Sequence, residues 1–186
     1  MRTFVYRLFA VLILASTLAA CRSDLQSLPP LGSAVLDTAS YKLGPGDKLS
    51  LIVFGVKDLS VEVEVAAEGT IAIPLVDNVQ AAGLTVNELA EAVRKKLTPG
   101  YVLDPKVTIQ IVSYRPFFIL GEVKTPGHYP FIPGMTVTNA VVSAGGYTPR
   151  AYKDGFTVTR NGSNYKADPS SKLLPDDVVN VEERYF

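Results

Sequence analysis

Apolar and polar positions alternate along several short segments of this chain, and the alternation predicts β-strands. In residues 60–66, Val61, Val63 and Val65 fall on one face, while Glu62 and Glu64 fall on the other. A period of two is the pattern of a strand that is buried on one side. Similar apolar or β-branched runs predict further strands at residues 48–54, 70–76, 107–111, 116–121, 129–132, 155–160 and 178–182.

A helical period replaces the alternation in residues 85–97. Val86, Leu89, Val93 and Leu97 share one face at the spacing of an α-helix. The threonine at position 85 and the glutamate at position 88 have the spacing of a capping box, which marks a helix start. A second, shorter helix is predicted over residues 136–143, where Gly145-Gly146 ends it.

The two helices begin within similar sequences, which indicates an internal repeat. Gly83-Leu84-Thr85-Val86 opens the first helix and Gly134-Met135-Thr136-Val137 opens the second. Each opening follows a predicted strand that contains a proline. The order strand, strand, helix, strand in each half predicts an α+β fold of two consecutive ββαβ-like modules, residues 41–114 and residues 115–186.

The beginning of the chain has the pattern of a secretory signal. Arg2 and Arg7 precede a run of apolar or small residues up to position 20. The following Leu18-Ala19-Ala20-Cys21 resembles the lipobox of bacterial lipoproteins, which predicts cleavage after residue 20 and acylation of Cys21. There are two alternatives: an ordinary signal peptide with a chance cysteine, or a single membrane anchor. A membrane-spanning helix needs about 20 apolar residues, and this run is shorter.

The residues after Cys21 bear on where the mature protein lies. Arg22 stands where an aspartate would retain an enteric lipoprotein in the inner membrane, so we expect the outer membrane, with the folded part in the periplasm. Residues 22–40 contain Pro29-Pro30 and Gly32 without sustained periodicity, which predicts a solvated linker between lipid and domain. Cys21 is the single cysteine, so its lipidation leaves no thiol for a disulfide.

Charge and candidate chemistry argue against several functions. Removing the leader leaves 16 basic against 18 acidic side chains, a balance of −2 without a basic block, so nucleic acid is not expected as a partner. His128 is the single histidine and lies in a predicted turn with no neighbouring ligand pattern. The alternation favours Glu62 and Glu64 as a solvent face of a strand, or as a pair that faces a lumen, over an acid–base pair. We therefore expect no enzyme and no cofactor.

Aromatic residues concentrate in the second module. Aromatic rings stack on sugars, but they also build cores and interfaces. We expect these rings to serve core and subunit packing: Tyr114, Phe117, Phe118, Tyr129, Phe131 and Tyr147.

Short motifs in both modules resemble those of the outer-membrane polysaccharide export lipoproteins. The first module carries Tyr41-Lys42-Leu43-Gly44-Pro45-Gly46-Asp47, and later Glu68-Gly69-Thr70-Ile71. The second carries Leu120-Gly121-Glu122-Val123 and Ala144-Gly145-Gly146. By this resemblance, the first module is a polysaccharide export domain and the second is an SLBB module of the β-grasp type. The resemblance assigns signature structural turns to Gly44, Pro45, Gly46, Asp47, Gly69, Gly121, Gly127, Gly145 and Gly146.

The resemblance implies a transport function in which the protein makes and breaks no covalent bond. Members of the family form homo-oligomeric rings around a hydrated lumen, through which capsule or exopolysaccharide leaves the cell. They meet an inner-membrane polysaccharide co-polymerase. The alternative is a monomeric periplasmic lipoprotein that binds a ligand or scaffolds a partner through its β-grasp module.

One feature of the family pattern is not seen in this sequence. The family pattern includes an amphipathic helix after the last β-grasp module, and a ring of such helices forms the outer-membrane pore. Here the sequence ends a few residues after the last predicted strand. We therefore expect a short form that leaves the membrane crossing to another protein, such as a separate outer-membrane β-barrel.

Overall fold

The computed structural model describes residues 28–33, 35–55, 59–74, 76–98 and 104–184. The predicted signal peptide, Cys21 and the first linker residues lie outside these ranges. Within them, no helix is both long enough and apolar enough to span a membrane. The elements in chain order are β1 (Lys48–Val53), β2 (Val61–Glu64), β3 (Thr70–Ile73), β4 (Val76–Gln80), α1 (Val86–Leu97), β5 (Val107–Gly121), β6 (Gly127–Phe131), α2 (Val137–Ser143), β7 (Ala151–Arg160), β8 (Ser163–Ala167) and β9 (Val178–Glu183).

One long strand, β5, runs through both halves of the fold. Its first part pairs antiparallel with β1, and its second part pairs antiparallel with β6 and parallel with β9. The main sheet has the order β2-β1-β5-β9-β7-β8, with β6 also on β5, while β3 and β4 form a separate hairpin. The two strands predicted at residues 107–111 and 116–121 are therefore a single strand, which shifts register between Tyr114 and Phe117.

Each half has its own apolar core, and the two cores meet. Leu49 and Leu89 are fully buried in the first core, where α1 packs on the strands. Phe117 and Phe156 are fully buried in the second core. Leu36 and Tyr114 pack against both cores, so the halves share an apolar contact as well as β5. The α+β fold of two modules predicted from the sequence is confirmed.

Two strands differ from the prediction for local reasons. Residues 70–76 were predicted as one strand, but the chain turns at Pro74 and returns as β4, with Thr70 opposite Gln80. Strand β8 was not predicted, because only Tyr165 and Ala167 alternate with its polar residues. The Asn161-Gly162 turn that leads into β8 has positive φ angles of 50° and 76°, so this Asn-Gly pair was the available hairpin signal.

Part of the predicted linker lies against the second module. The Leu31 amide donates to the Lys166 carbonyl at 2.7 Å, and the Lys166 amide donates to the Pro29 carbonyl at 2.9 Å. Strand β8 is an edge strand, whose outer backbone groups need partners. Pro29 and Pro30 stay exposed to solvent as predicted, but residues 29–31 are bonded to the fold and do not form a free linker.

Both helices begin with a capping box, which the spacing of Thr85 and Glu88 predicted for the first. The Thr85 hydroxyl accepts from the Glu88 amide, and the Glu88 carboxylate accepts from the Thr85 amide at 2.7 Å. Thr136 and Asn139 repeat this arrangement at α2. Glu88 also accepts from the Lys42 ammonium at 2.9 Å, which ties the start of the folded chain to α1.

We expect Thr85→Ala to lower the free energy of unfolding by about 1 kcal/mol, because the first turn of α1 loses its cap. The hydrogen bond from Lys42, with those from Thr85, holds the pKa of Glu88 at about 2. The stabilisation from the ionised Glu88 is therefore present above about pH 4.5 and lost as pH falls toward 2. In Thr85→Ala this pKa should rise, which NMR titration of the carboxyl measures. Asn87→Ala is the matched control, and an equal loss of stability there would contradict the capping argument.

Candidate functional site

The signature turn at residues 44–47 closes around its own aspartate. The Asp47 amide donates to the Gly44 carbonyl at 3.2 Å, and the Gly44 amide donates to the Asp47 carboxylate at 2.8 Å. Pro45 has the fixed φ of the first inner position, while Gly46 has a φ of 89°. These are the residues that a type II turn requires.

The Asp47 carboxylate is fully buried and fully hydrogen-bonded. The Tyr41 hydroxyl lies 2.9 Å from each carboxylate oxygen, and the Arg115 amide donates to one of them at 2.8 Å. The Arg115 guanidinium Nη1 lies 3.5 Å away and supplies the counter-charge. Burial, followed by the charge of Asp47, raises the pKa of Tyr41, while Arg115 acts in the opposite direction. Tyr41 therefore stays protonated and donates.

The second module contains the same turn. The Leu174 amide donates to the Asp177 carboxylate at 2.7 Å, and the Asp177 amide donates to the Leu174 carbonyl at 3.3 Å. Asp176 occupies the position of Gly46 with a φ of 72°. Arg160 binds both carboxylate oxygens of Asp177 at 2.7 and 2.8 Å, and Asp177 is 1% exposed. A buried aspartate with an arginine partner therefore occurs once in each module.

Both turns are bonded to the middle of β5, where the modules meet. The Asp47 carboxylate takes the Arg115 amide, as described above. From the other module, the Asp176 amide donates to the Pro116 carbonyl at 3.0 Å, and the Phe118 amide donates to the Asp177 carbonyl at 2.9 Å. We call this arrangement of two aspartate turns on β5 the module junction.

A cavity of about 270 Å³ lies at the module junction and is lined by Tyr41, Arg115, Arg160 and Pro175, among others. Arg115 reaches it because Gly44 has no side chain: a Cβ there would lie 2.2 Å from the guanidinium Nη1. The Arg115 Nε atom is buried without a hydrogen-bond partner in the described part of the chain. Both carboxylates are held by several donors, so the arrangement fixes backbone geometry and leaves no free base for catalysis.

The other predicted signature glycines are not brought together at this junction. Gly121 has a φ of 85°, and a Cβ there would lie 2.2 Å from the Val181 carbonyl oxygen on β9. Gly145 and Gly146 have positive φ and follow α2, while Gly69 has positive φ in the turn before β3. Gly127 begins β6 and does not have a positive φ.

The residues considered for catalysis are spread over the surface. The sequence predicted His128 in a turn, but the residue lies within strand β6. Its ring centroid is 6.3 Å from that of Phe118. Glu62 and Glu64 are exposed on β2, where Glu64 lies 3.8 Å from Lys48. Among the residues that the structure describes, no group of three or more His, Cys, Asp or Glu is placed to hold a metal ion.

Sequence reasoning missed the partners at the module junction. Arg115 and Arg160 are far from the two aspartates in the sequence, and no local pattern pairs them. The repeat of Pro45-x-Asp47 as Pro175-x-Asp177, each before a strand, was an available signal for two equivalent turns, and the sequence analysis did not use it.

Comparison with known proteins matches both modules separately. Residues 36–112 match the family model described as polysaccharide biosynthesis/export protein, and residues 116–168 match the SLBB domain. The chain is 32% identical to the exopolysaccharide production protein ExoF of Rhizobium meliloti (strain 1021), over 70% of this chain and 35% of that protein. It is 27% identical to the EPS I polysaccharide export outer membrane protein EpsA of Ralstonia nicotianae (strain ATCC BAA-1114 / GMI1000), over 83% of this chain and 50% of that protein.

A third relative has a similar name. The chain is 24% identical to the polysialic acid transport protein KpsD of Escherichia coli, over 74% of this chain and 25% of that protein. The aligned part of this chain thus spans between a quarter and a half of the length of these relatives. The two domain matches, in this order and on this fold, agree with the resemblance found in the sequence: the chain belongs to the outer-membrane polysaccharide export family, with a polysaccharide export domain followed by an SLBB domain.

Proposed function

We propose that this chain is a non-enzymatic conduit that carries capsule or exopolysaccharide across the periplasm and the outer membrane as a ring of identical subunits. The proposal depends on one observation: the chain matches an export domain and an SLBB domain, and strand β5 runs through both. The names of the relatives, which refer to exopolysaccharide production, polysaccharide export and polysialic acid transport, support the same function.

The module junction supports a role in assembly. A ring closes only when every subunit presents its two contact faces at the same angle. The continuous strand β5, bonded from both sides by the Asp47 and Asp177 turns, fixes the angle between the modules within each subunit. A rigid subunit of this kind is suited to a closed ring of constant width.

The proposed location follows from the lipobox-like sequence at Cys21. Three acyl chains would hold the protein firmly on a bilayer, since each buried methylene contributes about 0.8 kcal/mol. The domains would then lie in the periplasm below the outer membrane. The proposed partners are an inner-membrane polysaccharide co-polymerase and a separate outer-membrane protein.

The second candidate function is a monomeric periplasmic lipoprotein that binds a ligand or scaffolds a partner through its SLBB module. An open cleft in that module, lined by Tyr147, Tyr152 and Lys153 among others, favours it. The two functions differ in oligomeric state, because binding needs one copy and a conduit needs several.

The test combines a measurement of the mass of the assembly with an assay of polysaccharide export. The detergent-extracted lipidated protein is measured by light scattering and imaged by electron microscopy, and a strain that lacks the gene is complemented with wild type or Cys21→Ser. We expect a closed ring of several subunits. We also expect that surface or secreted polysaccharide is lost in the deletion strain, restored by wild type and not restored by Cys21→Ser, which has no thiol to acylate.

Three results would contradict the proposal in whole or in part. A stable monomer, even with its membrane partners present, would favour the binding lipoprotein. Unchanged polysaccharide in the deletion strain would exclude a required role in export. Full restoration by Cys21→Ser would show that the lipid anchor is dispensable and would overturn that part of the proposal.

A further inference from the structure

The second module contains an open cleft away from the module junction. The cleft has a volume of about 600 Å³ and is lined by Lys124, Tyr147, Tyr152, Lys153, Asp154 and Arg184, together with uncharged neighbours. We call it the tyrosine cleft. Its side chains come from four segments: the loop after β5, the loop after α2, strand β7 and the residue that follows β9.

Backbone hydrogen bonds hold these segments together. The Lys124 amide donates to the Gly146 carbonyl at 3.0 Å, and Val123 forms a β-bridge with Tyr147. The Arg184 amide donates to the Arg150 carbonyl at 2.8 Å. The lining residues therefore start from fixed backbone positions.

Strand β7 bulges at the cleft. From Ala151 to Phe156 it advances five residues, while the paired residues of β9, Glu183 to Val181, advance two. The three extra residues on β7 push its exposed side chains away from the regular sheet. β-Bulges commonly re-aim side chains in this way and are over-represented next to functional sites.

The two tyrosine rings are held in different ways. A Cβ at Gly155 would lie 2.2 Å from the Tyr152 Cδ1 atom, so the Tyr152 ring occupies the space that this glycine leaves open, while the residue stays 42% exposed. Tyr147 is half-buried, with its ring centroid 6.4 Å from that of Phe156 and 5.9 Å from the Lys153 ammonium. The cleft thus presents two aromatic rings to solvent.

The tyrosine cleft has an excess of positive charge. The residues that line it include three cations, Lys124, Lys153 and Arg184, and one carboxylate, Asp154. A second carboxylate, that of Glu122, accepts a hydrogen bond from the hydroxyl of the lining Thr148, so the cations still outnumber the carboxylates by one. In the described part of the chain, none of these three cations forms an ion pair, whereas the nearby Arg150 pairs with Glu183. The full sequence has 18 basic and 18 acidic side chains, so this local excess differs from the neutral balance of the whole chain.

Aromatic rings together with cations that form no ion pair suit one class of ligand. The apolar face of a sugar ring packs on tyrosine, and a carboxylate pairs with lysine and arginine. The volume falls within the range of about 300–1,000 Å³ that is usual for small-molecule sites. We propose that the tyrosine cleft binds acidic sugar residues, such as hexuronic acids, of the exported polysaccharide.

This proposal rests on the proposed export function and makes its substrate class an acidic polymer. The cleft is open, so each contact should be weak and reversible. Transport needs such contacts, because a site must release its ligand as readily as it binds it.

The test measures binding of hexagalacturonate to the detergent-extracted full-length protein by saturation-transfer NMR. Maltohexaose, a neutral oligomer of the same length, is measured for comparison. We expect millimolar binding of the acidic oligomer, weakened by added salt, and about tenfold weaker binding in the double variant Lys124→Gln/Lys153→Gln. The matched double variant Lys95→Gln/Lys106→Gln removes the same charge from exposed lysines elsewhere and should bind as wild type does. Gly155→Ala keeps every charge but displaces the Tyr152 ring, so it should also weaken binding.

The outcomes separate this proposal from the export function. No binding by wild type, equal weakening in both double variants, or equal binding of maltohexaose would overturn it. Cleft-dependent binding to phosphatidylglycerol vesicles without binding of hexagalacturonate would overturn it too and would assign the cleft to a lipid surface. If the oligomer does not bind while deletion of the gene still abolishes export, this inference alone fails; if deletion leaves export unchanged, the export function fails.

Discussion

Replacing Asp47 with alanine should lower the free energy of unfolding by about 3–5 kcal/mol, as expected when one partner of a buried ionic network is removed. The variant leaves the Tyr41 hydroxyl, the Gly44 amide and the Arg115 amide without their acceptor in a fully buried place. Most single domains are stable by about 5–15 kcal/mol, so the loss is a large part of the total. Urea unfolding of the detergent-solubilised chain, followed by circular dichroism, measures it.

Glu62→Ala is the control for this experiment. It removes a carboxylate of the same charge from the exposed face of β2 and should change stability by less than about 0.5 kcal/mol. If Asp47→Ala is too unstable to purify, Asp47→Asn keeps one acceptor oxygen and should give a smaller loss. A wild-type unfolding curve for either Asp47 variant would show that the buried carboxylate does not hold the turn.

A second variant tests the same network through pH. Because burial and the charge of Asp47 raise the pKa of Tyr41, the folded state holds this proton more tightly than the unfolded state does. The stabilisation is therefore complete below about pH 10 and declines as pH rises above it. Tyr41→Phe should lose about 1 kcal/mol at neutral pH and should make the alkaline decline shallower. An unchanged alkaline decline would contradict this assignment.

The sequence predicted those parts of the fold that depend on local patterns. Helix α1 was found with its cap, because the apolar period and the Thr85–Glu88 pair lie within thirteen adjacent residues. Strand β8 was missed, because its inward face consists only of Tyr165 and Ala167, which is too short an alternation to mark a strand. The continuity of β5 was also missed, since Pro116 is read as a break in a sequence but is accommodated here at a change of register.

The sequence predicted the turn of the candidate site but not the distant residues that bind it. The Gly-Pro-Gly-Asp turn was recognised from residues that are adjacent in the chain. Its partner Arg115 is 68 residues away, and Arg160 is 17 residues from Asp177, so only the folded chain brings them together. The tyrosine cleft was not predicted for the same reason, because its four segments are separate in the sequence. Tyr147 was assigned to packing, and it does pack on the second core while also lining the cleft.

The second large effect is expected from Phe117→Ala. Phe117 is fully buried in the second core, on the part of β5 that pairs with β6 and stacks on Tyr129 at a centroid distance of 6.0 Å. Removing a buried phenyl ring costs about 3–5 kcal/mol, through lost burial and the cavity that remains. Phe118→Ala is the matched control: it is the same change on the next residue of the same strand, but Phe118 points to the other face and is 39% exposed. Urea unfolding should separate the two variants clearly, and equal losses would contradict the assignment of the core face.

The same variant tests whether the two modules unfold cooperatively. Because β5 runs through both cores and Asp47 bonds to its middle, a defect at Phe117 should also loosen the first module. Amide exchange measures this: in Phe117→Ala, we expect faster exchange at Leu49 and Leu51 of β1 as well as at Val179 of β9. Faster exchange confined to the second module would show that the modules open independently, and a junction that opens in this way would not hold the constant angle that a closed ring requires.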